Sequence, residues 1–350
     1  METDHQPQSN RLRWLVLLGG AVGTLLLVFV PSAAWLNLPA DADPAVLLST
    51  YALKQALTVA LLLIVPALWA RSAHTVGLWT LPLLAVLAFG CGVLLSKSAV
   101  PALYALLLAA LPGIGLYSLQ RLQLSNFRAV LYESVLVLFA LFGYVCLPSL
   151  LESGDAYLPF RNVIAVYERI LDSIKPFFTL GTGEVDSYYQ AVCDLVAEYR
   201  LNADVIGVQV LLIPAMCAGL SNVLLSHLFN RRGGAELVKL PPFGEWRCER
   251  LYVYIATGVA LVTYLLGILH VNGMEALSGV AMLAWRFPCA LAGLSALWSL
   301  GTRLQKRWIF VIACCALLVT PTIGPTLLSV VGMFASLRKP TTDGKDGTLL

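Results

Sequence analysis

Residues 205–229 read VIGVQVLLIPAMCAGLSNVLLSHLF, a run without a single Asp, Glu, Lys or Arg. As a helix it is about 37 Å long at 1.5 Å per residue. Crossing the roughly 30 Å hydrocarbon core of a bilayer takes about 20 apolar residues. A water-soluble helix of this length would carry a charged face, and this run offers none. Eight further stretches are long and predominantly apolar: 14–32, 48–70, 77–95, 99–118, 128–151, 251–271, 274–301 and 308–336. Backbone polar groups inside a bilayer must pair within the chain, so these stretches predict helices. No series of period-two alternations marks a β-barrel. The expected fold is all-α: a polytopic transmembrane bundle of about nine spans, with eight to ten as the range.

Composition agrees. Hydrophobic residues make up 59% of the chain and charged residues 12%, about half the charged share of an average soluble domain. The net charge of +3 and the lack of a long basic run argue against a nucleic-acid partner. The expected partner is the lipid bilayer. Six of the eight cysteines lie in apolar stretches, and Cys193 and Cys248 lie in polar ones. No C-x-x-C occurs, so no metal site and no cofactor is expected from motif spacing.

Arg11 and Arg13 precede the first apolar run, which is longer than the roughly 7–15 residues of a signal-peptide core. It reads as an uncleaved first span. Short loops rich in Lys and Arg mark the cytoplasmic side. With the N-terminus inside, Arg71, Arg121, Arg128, the basic loop 230–250 and Arg303, Lys306 and Arg307 all fall inside. The expected location is a bacterial inner membrane. Lys97 falls outside against the rule, and nine spans put Arg338, Lys339 and Lys345 outside as well. Pro321, Gly324 and Pro325 make the last stretch either one kinked span or a hairpin; the kinked span is the expectation.

The connection 152–204 holds nine acids and four bases, net −5. Val163, Ile164, Tyr167, Ile170, Leu171 and Ile174 recur at helical spacing, as do Val185, Tyr188, Tyr189, Val192, Leu195, Val196 and Tyr199. Two amphipathic helices are predicted, capping the bundle or covering an outward cavity. The expected division is a five-helix membrane region 1–151, the loop 152–204, a second membrane region 205–338 and a disordered tail 339–350.

Ionisable side chains within spans are costly and often functional. Lys54, Glu133, His227 and Arg286 are the candidates, with Asn222 on a polar stripe beside Pro214 and Ser221. Arg286 lies near the middle of its span and needs an anionic partner, a water-filled cavity or an anionic ligand. Glu133 could meet Arg128 or Arg121, and Arg286 could pair with Glu133 or, if its helix breaks at Pro288, with Glu275. Gly19 with Gly23, Ala105 with Ala109, and Ala292 with Ala296 are small-residue pairs that permit close helix contact. No Walker A, G-x-S-x-G or H-E-x-x-H motif occurs, so no catalytic residue is assigned and an enzyme is the weaker expectation.

One segment is distinctive: Leu212-Ile213-Pro214, then Asn222, Arg231-Arg232, and Leu240-Pro241-Pro242-Phe243-Gly244-Glu245-Trp246 before a new span. Two prolines enforce an extended approach. Phe243 and Trp246 suit the headgroup zone, and Arg247 and Arg250 suit anionic lipid or a cytoplasmic protein partner. This segment, with the ending Leu328 to Arg338 around Gly332, resembles the YybS-like family of bacterial multi-pass membrane proteins, best over 205–338. In that family an Asp usually follows the glycine; here no acid stands between Gly332 and Arg338. The resemblance implies a helical layout similar to the substrate-binding membrane components of energy-coupling-factor transporters, and no reaction. The expected function is transport-related or small-ligand binding, the ligand being unknown. A scaffold acting through 230–250 and an enzyme acting on lipid-linked substrates through Glu133 or His227 are the alternatives.

Overall fold

The computed structural model describes residues 10–29, 44–96, 100–122, 124–178, 186–231, 242–269, 271, 273–306, 308–319 and 323–338. Among them are twelve α-helices and no strand. Five helices are long and apolar enough to cross a membrane, at Ala56–Thr75, Phe127–Ser153, Ala203–Leu228, Arg250–Ile268 and Leu277–Arg303. Shorter apolar helices cover Arg13–Val28, Thr80–Cys91, Leu106–Leu119 and Ile323–Leu337. The chain divides into two compact units, 1–239 and 240–350.

The first unit holds α1 (Asn10–Phe29), α2 (Pro44–Thr75), α3 (Thr80–Ser96), α4 (Val100–Leu122), α5 (Asn126–Ser153), α6 (Leu158–Ile174), α7 (Ser187–Leu201) and α8 (Ala203–Arg231). Local chemistry sets the ends of α5. The Ser125 hydroxyl accepts from the Arg128 N–H at its start. Gly154, at φ 73°, closes it with an N–H bond to the Leu150 carbonyl, the left-handed C-terminal cap that glycine adopts without strain.

Helix α2 packs on α1, α4 and α8, while α5 packs on α4 and α8. Gly23 of the predicted G-x-x-x-G faces α2, where an added Cβ would lie 2.8 Å from Val65. Between the same helices, Trp69 Nε1 donates to Thr24 Oγ1 at 2.7 Å, and Thr24 Oγ1 donates to the Gly20 carbonyl at 2.6 Å. Both side chains are buried. Thr24→Val leaves the indole N–H without an acceptor, at an expected cost of about 1–3 kcal/mol. Thr24→Ser, which keeps the hydroxyl, should melt within a degree or two of wild type. Thermal unfolding in detergent micelles separates the two variants.

The acidic connection folds into the two helices α6 and α7. Asp186 caps α7 by accepting from the Tyr188 N–H at 2.7 Å. Pro159, Phe160, Ile164 and Val166 are the buried face of α6. Phe160 lies against Gly207 of α8, where a Cβ would sit 2.7 Å from the ring. Helix α7 is held to α6 by Tyr189, whose hydroxyl donates to the Leu171 carbonyl at 2.7 Å, and by an Arg200–Glu168 ion pair at 3.1 Å. Tyr167 and Tyr199 of the predicted apolar faces are exposed.

The second unit holds α9 (Arg250–Ile268), α10 (Met274–Arg303), α11 (Trp308–Val319) and α12 (Ile323–Leu337). Helix α9 turns much of its apolar surface outward: Ile255, Val262 and Ile268 are each more than half exposed. In water such a surface would drive aggregation, whereas lipid accepts it. The stretch 308–336 is two helices, one on each side of 320–322, which lie outside the described residues together with Pro321. Helix α12 packs on α10. A Cβ on Gly293 would land on the Leu328 carbonyl, and one on Gly332 would land on the Cys289 carbonyl. The two backbones therefore touch along this crossing with no side chain between them.

Candidate functional site

Glu133 and Asn222, read separately in the sequence, meet in the first unit. Glu133 is the eighth residue of α5 and Asn222 lies nine residues before the end of α8. Helical rise puts both about 10–14 Å from those ends. Both side chains are fully buried. Asn222 Nδ2 donates to Glu133 Oε1 at 3.2 Å. Their other oxygens, Glu133 Oε2 and Asn222 Oδ1, are buried without a hydrogen-bond partner among the described residues.

Glycines make this meeting possible. Gly219, one turn before Asn222, faces the backbone of Ser134, and an added Cβ would lie 2.6 Å from Ser134 N. Across α4, a Cβ on Gly115 would lie 2.9 Å from Glu133 Oε2. Glu133 is thus held between α4 and α8. Arg128 is exposed, and Asn222 supplies the described hydrogen bond to the Glu133 carboxyl. The side chain of Arg121 lies outside the described residues.

Two groups on α2 lie beyond the apolar run 48–70. Arg71 ends that run, but α2 continues through it to Thr75 and buries it. His74, one turn later, stacks on Tyr117 with ring centroids 4.7 Å apart. Its Nε2 is buried without a hydrogen-bond partner among the described residues. His227 is half-buried on α8, and Lys54 lies on α2 with its side chain outside the described residues.

Arg286 lies on α10 in the second unit. Ser329 Oγ of α12 donates to its carbonyl at 2.8 Å, and Tyr252 Oη donates to the carbonyl of Ala284 at 2.5 Å. Tyr252 is in the first turn of α9, so Arg286 sits level with the start of that helix. It is the thirteenth of the 30 residues of α10, near the middle of that helix. Arg286 Nε is buried without a partner among the described residues, and so is Nε1 of the adjacent Trp285.

The Pro-Pro-aromatic element also folds inward. Pro241 lies outside the described residues, and Pro242 is exposed. Phe243–Glu245 form a 3-10 turn whose Phe243 carbonyl accepts from Ser295 Oγ at 2.5 Å. The Phe243 ring packs on Trp246 and Phe310, and Phe310 packs on Trp298. Arg247 donates to the Ala335 carbonyl, while Cys248 N donates to Ser336 Oγ at 3.1 Å. The Cys248 thiol is pushed up by its hydrogen bond with the Cys289 thiol and by burial. Arg247 and Arg250 reach the surface.

Among the described residues, no three His, Cys, Asp or Glu side chains gather as a metal set. No family model, no curated protein and no solved structure matches this chain.

Proposed function

We propose that this protein is a nine-span protein of a bacterial inner membrane, with its N-terminus in the cytoplasm, that binds a small anionic ligand as a transport-related component. The five long apolar helices and four shorter ones support nine crossings. The reading rests on Trp285 and Arg286, two consecutive residues that each bury an unpaired N–H. A buried donor without an acceptor costs about 1–3 kcal/mol, more when charged. A carboxylate or phosphate oxygen supplies the missing acceptor, and the guanidinium also supplies the balancing charge. The scaffold reading is less well supported, because Phe243 and Trp246 pack within their own unit. The YybS-like resemblance is compatible with the ligand-binding reading and adds no substrate.

Mass spectrometry of small molecules co-purifying with the solubilised protein tests this. Wild type should carry a defined anion. Arg286→Ala should lower its occupancy at least tenfold, about 1.4 kcal/mol of binding. Arg286→Lys should not restore it, because an ammonium lacks the planar fork of donors. An identical ligand profile in wild type and Arg286→Ala would sink the reading.

A further inference from the structure

We propose that Glu133 and Asn222 form an intramembrane proton-binding site, in which the Glu133 carboxyl carries its proton on Oε2 and donates it to Asn222 Oδ1. The site does not depend on the Arg286 reading and lies in the other unit.

Four observations carry it. First, Glu133 and Asn222 are fully buried, so water does not solvate a charge on the carboxyl. An isolated buried carboxylate is costly enough that such a group neutralises instead. Second, the one described hydrogen bond to the carboxyl comes from the neutral Asn222 amide. Third, the two unpartnered atoms are both acceptors, Glu133 Oε2 and Asn222 Oδ1. Two orphan acceptors on one hydrogen-bonded acid–amide pair need a single donor between them. A proton on Oε2 supplies it and completes a two-bond ring, with Asn222 Nδ2 donating to Oε1 and Oε2 donating to Oδ1. Fourth, α4 presents Gly115 at Oε2, so the residue of α4 that faces this oxygen has no side chain to donate.

The titratable and charged groups on the surrounding helices are Tyr51, Lys54, Arg71 and His74 on α2, Tyr104, Tyr117 and Arg121 on α4, Arg128, Tyr132, Tyr144, Cys146 and Glu152 on α5, and Asp204, Cys217, His227 and Arg231 on α8. None of the described ones donates to Oε2, which has no partner among the described residues. Tyr132 instead shares a hydrogen bond with Ser118 at 3.2 Å, and His74 stacks on Tyr117. Loading the site forms one O–H bond on Glu133 and consumes one proton from water. Unloading returns that proton and leaves a carboxylate, which must then be exposed to water or to a cation. Such a step suits a helix rearrangement that separates α5 from α8.

Infrared spectroscopy of the protein in lipid at neutral pH, in light and heavy water, tests the proposal. Wild type should show a protonated-carboxyl C=O band that shifts on deuteration and disappears in Glu133→Gln. Glu133→Gln should keep wild-type thermal stability, since its amide N–H replaces the acid proton toward Asn222 Oδ1. Asn222→Ala should retain the band but displace it, because the acid loses its acceptor. The proposal is overturned if the Glu133-dependent band is missing at neutral pH, if wild type shows a carboxylate whose signal responds to sodium, or if Asn222→Ala leaves the band unmoved. Should Glu133→Gln fail to fold, the shift of the wild-type band with carbon-13 glutamate labelling and with Asn222→Ala still decides.

Discussion

Gly332→Val should prevent the second unit from folding. The Cβ of any residue at 332 would land on the Cys289 carbonyl and lie 2.5 Å from Gly293 N. Both obstacles are backbone, so no rotamer change makes room. The clash sits on the contact that joins α10 to α12, which also carries the Ser329 bond to the Arg286 carbonyl. Overpacking usually costs about 1–3 kcal/mol when side chains can yield. Here the helices must part, and the cost should exceed that range. The expected result is aggregated or degraded protein on size-exclusion chromatography, with Gly293→Val behaving alike. Gly258→Ala on α9 is the control, since a Cβ there meets nothing within 4 Å. It should be neutral or stabilise by up to about 1 kcal/mol through helix propensity. A monodisperse Gly332→Val protein with the wild-type melting temperature would show that α10 and α12 do not cross this closely.

Gly219→Val should have the second largest effect. Its Cβ would lie 2.6 Å from Ser134 N and 2.7 Å from Ser134 Cα. Separating α8 from α5 here also pulls Asn222 away from Glu133, because these residues lie one turn from the contact. The loss therefore adds an unpaired buried acid, about 1–3 kcal/mol, to the packing cost. Gly115→Ala should be milder. Its Cβ meets the rotatable end of Leu136 and the Glu133 carboxyl rather than backbone. Gly90→Ala on α3, where nothing lies within 4 Å, should leave stability unchanged. Unfolding midpoints in detergent for the three variants should fall in that order. If Gly219→Val and Gly90→Ala melt together, the α5–α8 contact is wrong.

The order of these glycines could not be read from the chain. Gly19 and Gly23 stood out through their spacing, and Gly23 does face α2. Gly219, Gly293 and Gly332 have no glycine partner four residues away and gave no such signal. Glu133 and Arg286 stood out because ionisable residues are rare in apolar runs. Asn222 carried a weaker signal, on a polar stripe and in the segment that ends at Trp246. Arg71 and His74 gave no signal because they lie just past the apolar run 48–70, while α2 runs on past both.

Solvent and element type follow from the apolar runs alone. Runs such as 205–229 need lipid around them, and backbone pairing in lipid then requires helices. The same runs also mark which residues are anomalous there. Only the tertiary structure decided which helix faces meet, and so that Glu133 finds Asn222 across 89 residues of chain. The physical reason is that a lipid-facing surface is as apolar as a helix–helix contact. Helices that are apolar all round therefore carry no periodic stripe to orient them. Their rotation is set instead by where backbones can touch, at Gly219 on Ser134 and at Gly293 on Gly332.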